Sequence, residues 1–182
     1  MNKTTGNTLG FRQKIGTRAV VLTALLAALT CAATMALPIP APTGGYINPG
    51  DAVVLLGSYL LGPVYGALAA GIGAALADAL AGYLVYAPAT LIIKALTAMT
   101  AARLYKKLCR RGWTVAVCGS AGEAVMVAGY WLYDALLLKS PAGGAAGIPG
   151  NLIQAAFGVA VSTLLALSLR KSAYVRREFP NL

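Results

Sequence analysis

Long apolar runs, separated by short polar or Pro/Gly-rich stretches, organise this chain, and they predict helices able to cross a bilayer at about 20 residues each. The first helix is expected from about Arg18 to Leu37, where Pro38 and Pro40 end it; it is read as a retained helix rather than a cleaved leader. The loop PIPAPTGGYINPG follows over 38–50. The second helix is short. Asn48 is placed to cap it, Pro49 suits its first turn, and Gly62-Pro63 breaks it. At about 1.5 Å per residue it covers only about two-thirds of the hydrocarbon core. The third helix, about Val64 to Leu84, is rich in Gly and Ala; the fourth runs from Pro88 to Tyr105, the fifth from Trp113 to Leu138 and the sixth from Asn151 to Leu169. The expected fold is all-α: a bundle of six transmembrane helices over 18–170, with a basic segment over 1–17 and a basic tail over 171–182.

Charge orients this pattern. Lys3, Arg12, Lys14 and Arg18 precede or open the first helix; Arg103, Lys106, Lys107, Arg110 and Arg111 flank the loop after the fourth; Arg170, Lys171, Arg176 and Arg177 follow the sixth. Only Lys139 falls in a loop of the opposite side. This excess on one side predicts that both termini are cytoplasmic, and it requires the short second helix to count as a crossing. Hydrophobic residues make up 58% of the sequence and charged ones 11%, so no sizeable soluble domain is left over. The net charge of +10 sits at segment ends and not on a nucleic-acid-binding face. There is no histidine, and Cys31, Cys109 and Cys118 have no metal-ligand spacing, so no metal site is expected. No P-loop, nucleophile elbow or dinucleotide fingerprint occurs, which excludes ATP hydrolysis by this chain and leaves no catalytic residues to assign.

The candidate chemistry lies in a few polar groups set into apolar helices. The chain has five acids. Four of them, Asp51, Asp78, Glu123 and Asp134, fall inside helices or at their rims, and Lys94 lies two turns into the fourth helix. An ionised group at bilayer depth is expensive unless paired or wetted, so such groups usually line a polar pocket or pathway. Asp51 begins the second helix at the outer face, where a negative charge also suits a helix N-terminus. Lys94 has a plain structural reading as the partner of Asp78 or Glu123. Tyr130 and Asp134 follow Glu123 on one face of the fifth helix; Asn151 and Gln154 share a face at the outer end of the sixth. Tyr83, Tyr86, Tyr130 and Trp131 fit an interfacial aromatic belt taken singly. Together with Asp78, Lys94 and the amides they point to a pocket in the outer half of the bundle, under the Gly-rich loop, for a small planar polar molecule. Ala24, Ala28, Ala32 and Ala36 form a stripe of small residues that suits close helix packing, within this chain or onto a separate membrane subunit. A second stripe, Gly66, Ala70, Gly73, Ala74 and Ala77, is read as internal packing.

The runs GGYINPGDAVVLLGSYLLGPVYGALAAGIGAALADALAGYLVYAPATLIIKAL, GEAVMVAGYWLYDALL and IPGNLIQAAFG resemble the substrate-binding S component of energy-coupling factor (ECF) vitamin transporters, in the branch of riboflavin, hydroxymethylpyrimidine and pyridoxine S components. The resemblance covers nearly the whole chain from the first helix. It implies a multi-pass protein of a prokaryotic plasma membrane, partnered by a transmembrane coupling protein and two cytoplasmic ATPases. It implies that Ala24, Ala28 and Ala32 contact the coupling protein. It carries substrate binding onto Tyr46, Asn48 and Asp51, and further onto Lys94, Glu123, Tyr130, Asn151 and Gln154. Pro49 stands where the family has an apolar residue. The expected ligand is hydroxymethylpyrimidine or a B6 vitamer, with riboflavin second, and no cofactor is expected. Two other classes remain open: a stand-alone ion-coupled carrier using Asp78, Lys94 and Glu123 as a proton relay, and a ligand-free assembly subunit, which a cavity too small for a heterocycle would favour.

Overall fold

The computed structural model describes residues 16–108 and 112–179; all but the last two residues of the expected basic segment over 1–17, the positions of Cys109, Arg110 and Arg111, and residues 180–182 of the tail lie outside them. The elements run α1 (Thr17–Ala36), β1 (Ile39–Pro40), β2 (Tyr46–Ile47), α2 (Asp51–Leu80), α3 (Ala87–Lys107), α4 (Gly112–Leu137), α5 (Pro141–Ala145), α6 (Ile148–Leu169) and α7 (Ala173–Glu178). The architecture is an all-α bundle with one small hairpin, β1 and β2 pairing antiparallel with Pro40 opposite Tyr46. Among the described residues four segments are long and apolar enough to span a membrane: α1, α2, α4 and the stretch Pro141–Leu169. Their outward faces carry Val20, Leu25, Leu29, Leu68, Leu76, Leu132 and Leu164, all exposed. The chain is a membrane protein, and the solvent of this surface is lipid.

α2 is two helical arms and not one rod. Gly62 has φ 78° and ψ −174°, a left-handed setting that costs glycine little. The chain reverses there: a Cβ placed on Gly66 would come within 2.7 Å of the Ser58 Cα, which a straight helix would hold far away. The arms, 51–61 and 63–80, stand where the sequence predicts its second and third helices. The six bundle helices are therefore α1, the two arms, α3, α4 and α6.

The arms are unequal, about 16 Å against about 27 Å at 1.5 Å per residue. Because they share the Gly62 turn, the first arm begins about 10 Å below the end of the second. Asp51 is thus not at the outer face, as the sequence suggests, but deep in the bundle, 1% exposed. The loop 37–50 descends into the gap. Non-helical backbone is tolerated at this depth where protein surrounds it. The cap also differs from the expected one. Gly50, not Asn48, precedes the first helical residue, and the Asn48 side chain accepts a hydrogen bond from the Gly50 amide at 2.9 Å.

Small residues set the helix spacing. A Cβ on Gly73 would lie 2.3 Å from the Ala27 carbonyl oxygen, and one on Gly71 2.6 Å from that of Leu91, so α1 and α3 press directly on the second arm. The stripe Gly66, Ala70, Gly73, Ala74 and Ala77 is buried, as internal packing requires. The alanines of α1 behave otherwise. Ala24, Ala28, Ala32 and Ala36 are exposed, while α1 buries Ala27, Thr30 and Thr34 against the bundle. Packing among the described residues does not explain that stripe.

At the end holding the Gly62 turn, Leu55, Tyr59, Ala101, Tyr105, Val115, Cys118 and Ala166 form an apolar cluster, with Val175 of α7 and Phe179 packed on it. Helix α7 and the short α5 arise in segments the sequence reads as tail and loop. Glu178, the fifth acid, lies within the tail segment and forms an ion pair with Arg18, joining α7 to the start of α1.

Candidate functional site

The cavity beneath the loop 37–50 gathers side chains from every bundle helix except the first arm of α2. Thr34 comes from α1, Asp78 from the second arm, Lys94 from α3, Tyr130 and Asp134 from α4, and Asn151 and Gln154 from α6; Tyr46 and Asn48 close it from the loop, with Tyr86 at the head of α3. Ten of the residues singled out in the sequence therefore sit in or directly beneath one space, since Asp51 lies just under its floor.

The floor is an ion pair held by an amide. Lys94 Nζ pairs with Asp51 Oδ1, and both side chains are sealed from solvent. The partner differs from the Asp78 or Glu123 expected from sequence. The reason is the descent of the loop, which lowers Asp51 to the level of Lys94. Gln154 Nε2 donates to the other carboxylate oxygen of Asp51 at 2.5 Å, and its Oε1 accepts from the Asn48 backbone amide at 2.7 Å. One glutamine side chain thus ties the loop to the ion pair. Lys94 also lies 5.4 Å from the centroid of the Tyr130 ring, a cation–π distance.

The roof hangs on two tyrosines. The Tyr46 hydroxyl donates to Asp78 Oδ1 at 2.7 Å, and the Tyr46 ring packs against Tyr83 at 4.5 Å between centroids, tilted by 41°. Burial pushes the Tyr46 hydroxyl well above its ordinary range, and the hydrogen bond to Asp78 adds to the shift, so it stays a donor. The Tyr86 hydroxyl lies 3.0 Å from both the Thr43 carbonyl and Asp134 Oδ1; burial first, then Asp134, pushes it up to about 12. A side chain at Gly45 would meet the Tyr86 ring at 3.2 Å, so glycine lets the hairpin sit on that ring. Tyr130 and Tyr86 are interior groups and not members of an aromatic belt; Trp131, 38% exposed, faces outward.

Glu123 is set apart. It is 2% exposed, yet it does not line this cavity, and neither carboxylate oxygen has a hydrogen-bond partner. Its neighbour across the helix interface is Gly158, where an added Cβ would lie 3.4 Å from Glu123 Oε1 and 2.9 Å from the Asp51 Cβ. The sequence reading missed Thr34, Thr43 and Thr90, which do line the cavity. Thr90 could have been found, because it lies one turn before Lys94 on the same face, and it is hydrogen-bonded to Tyr130 at 2.9 Å.

With the loop drawn down, the cavity holds only about 30 Å³. That is room for a water or two, far below the roughly 300–1,000 Å³ of small-molecule sites. Lys94, Gln154, Tyr46, Tyr86 and Thr90 each engage another of the chain's own groups, whereas Asp78 Oδ2 is buried without a hydrogen-bond partner. The described residues contain no cluster of His, Cys, Asp or Glu able to hold a metal.

Comparison with known proteins agrees with this architecture. Residues 14–171 match the family described as ECF-type riboflavin transporter, S component. An uncharacterized protein in the gap 3′ region of Pyrococcus woesei is 34% identical over 139 residues, covering 76% of this chain and 92% of that one. A solved structure, described as the structure and mechanism of the S component of a bacterial ECF transporter, superposes with TM-score 0.70 over 85% of this chain and 96% of its own at 20% identity, which establishes a common fold. The family named is one of transport and binding, not of enzymes, and its ligand is the one that the sequence resemblance ranks second. The chain belongs to the family of S components of ECF-type riboflavin transporters.

Proposed function

We propose that this chain captures riboflavin for an ATP-driven importer, binding it in the cavity under the loop 37–50. The match over residues 14–171 carries the reading, and it favours riboflavin over hydroxymethylpyrimidine or a B6 vitamer. Membership in an ECF transporter family implies a membrane coupling protein and ATPases as partners. The outward stripe Ala24, Ala28 and Ala32 is the surface we assign to the coupling protein, since nothing among the described residues covers it. In this reading the six bundle helices cross a prokaryotic plasma membrane with both termini inside, the site opens outward, and the domain limits are those read from the sequence.

The site works by exchange. Riboflavin offers an aromatic ring system with carbonyl and imide groups along one edge. Those groups match the donors and acceptors of Lys94 and Gln154 on the floor, Tyr46 and Asp78 at the roof, and Asn151 in the lining. Entry requires the loop 37–50 to rise, releasing the Tyr46–Asp78, Tyr86–Thr43 and Asn48–Gln154 hydrogen bonds. Tyr130 and Tyr86 then provide ring faces. Asp51 acts from below by orienting Lys94 and Gln154.

Equilibrium titration of the purified chain, read by quenching of flavin fluorescence, tests this. Saturable binding that excess hydroxymethylpyrimidine or pyridoxine does not reverse is the expected result; displacement by either reassigns the ligand. The small cavity favours a second reading, a ligand-free assembly subunit whose polar groups only pair with one another. Stable association with the coupling protein without binding of any of the three compounds would establish that reading instead.

A further inference from the structure

The polar groups of the cavity are sorted by what they can do. At the floor, Lys94 and the Gln154 side-chain amide donate. At the roof stand two carboxylates, Asp78 in the last turn of the second arm and Asp134 in the last turn of α4. Tyr86, which holds Asp134, heads α3, and Lys94 lies about 12 Å further along that helix at 1.5 Å per residue. Each carboxylate accepts from a tyrosine through Oδ1, Asp78 from Tyr46 at 2.7 Å and Asp134 from Tyr86 at 3.0 Å. Asp78 Oδ2 is buried with no partner. A Cβ on Gly147 would lie 3.1 Å from Asp134 Oδ2, so that glycine leaves room beside the second carboxylate. Charge is sorted too. Among the described residues lining the cavity Lys94 is the one cation, and Asp51 beneath it takes its charge. The connections at this end of the bundle, over 37–50, 81–86 and 138–147, add only Lys139, which lies outside the lining.

We propose that Asp78 and Asp134 read the ribityl chain of the vitamin and reject its phosphorylated form, so that this chain takes free riboflavin and not riboflavin 5′-phosphate. The inference rests on the riboflavin reading of the cavity and deepens it. The ring system presents mainly acceptors, its carbonyls and ring nitrogens, which suit the donors at the floor. The ribityl chain presents hydroxyls, which suit carboxylates that can only accept. The flavin therefore enters ring first, and its chain stays at the level of Asp78 and Asp134. Raising the loop withdraws Tyr46, which opens both oxygens of Asp78 to hydroxyl donors. A phosphate at the end of that chain brings a charge of about −1.5 to −2 at pH 7. It meets two carboxylates and no unpaired cation of the lining, in a space walled by protein where charges are weakly screened. The reverse orientation offers no escape. A phosphate at the floor reaches Lys94 only by displacing Asp51, which leaves a buried carboxylate without its cation.

Fluorescence titration of the purified chain with both flavins tests this. Riboflavin 5′-phosphate is expected to bind at least about a hundredfold more weakly than riboflavin, because like charges are brought together out of bulk water. The neutral 5′-acetate ester carries bulk at the same position without the charge, and it should bind within about tenfold of riboflavin. In Asp78→Asn/Asp134→Asn each amide keeps an oxygen for its tyrosine, and the discrimination against the phosphate should shrink at least about tenfold. Glu178→Gln, at the far end of the bundle, should leave it unchanged. The wild-type titrations decide the matter even if the double variant is unstable. Equal binding of riboflavin and its phosphate, equal rejection of the acetate ester, or discrimination unaltered in a folded double variant overturns this inference and leaves the riboflavin site standing. Absence of riboflavin binding overturns the site and this inference with it.

Discussion

The two ends of the bundle are built from the same helices and seal different things. Around the Gly62 turn, Leu55, Tyr59, Val115, Cys118 and Ala166 exclude solvent completely. Under the loop 37–50 the buried residues are Asp51, Lys94, Asp134, Asn151 and Gln154. Apolar packing is cumulative and has no substitute partner, so it fixes helix positions. A hydrogen bond is worth little net, and its loss is offset as soon as another partner arrives. The lower end is therefore a fixed base. The upper end is a set of contacts, each of which an incoming molecule can replace.

The largest test of that contrast is Lys94→Ala. It leaves Asp51 buried without its cation, which should lower stability by about 3–5 kcal/mol in thermal unfolding in detergent, and should abolish riboflavin binding. The double variant Asp51→Leu/Lys94→Leu should recover most of the stability without recovering binding, because a buried ion pair replaced by apolar groups is often close to neutral. A double variant as unstable as the single one would show that the pair is not a closed unit. Tyr59→Ala strikes the other end. It should cost about 3–5 kcal/mol by cavity formation. The riboflavin affinity of the folded fraction should stay within about twofold, since distant sites act additively to within about 0.5 kcal/mol. Collapse of affinity there would erase the distinction between the ends.

Tyr46→Phe is gentler. Losing the bond to Asp78 should cost about 1 kcal/mol of stability and, because that bond must break before the loop rises, speed riboflavin entry in stopped-flow fluorescence. Smallest is Arg18→Ala. Its ion pair with Glu178 is largely exposed on the arginine side, so the change in melting temperature should correspond to no more than about 0.5 kcal/mol.

Much of the base could be read from sequence. Apolar runs, Gly62-Pro63 and the buried glycine stripe located every bundle helix within a few residues, because lipid makes helix boundaries depend on local composition. The site was legible as a set of residues and not as a set of pairs. Residue type and helical spacing pointed to Lys94, Tyr130, Asn151 and Gln154 as one group, and the structure sets them around one cavity. The partner of Lys94 depended on depth, and the depth of Asp51 follows from two helical arms of different length joined at one turn. No local pattern states that difference. For the same reason Glu123 looked like a cavity residue: it shares a face with Tyr130, yet it lies two turns lower, below the reach of the loop. Thr34 and Thr90 were overlooked because a lone hydroxyl in a helix usually satisfies itself on the preceding turn, as Thr97 does with Ile93.

The mismatch between the arms of α2 has a consequence for what such a chain can become. Two added helical turns ahead of Asp51 would fill the recess and convert a receptor into a plug. Fewer residues before Asp51 would instead enlarge the guest that fits. Capacity is then governed by where one helix starts, a variable that insertions and deletions in a tolerant connection can tune while the frame below stays untouched.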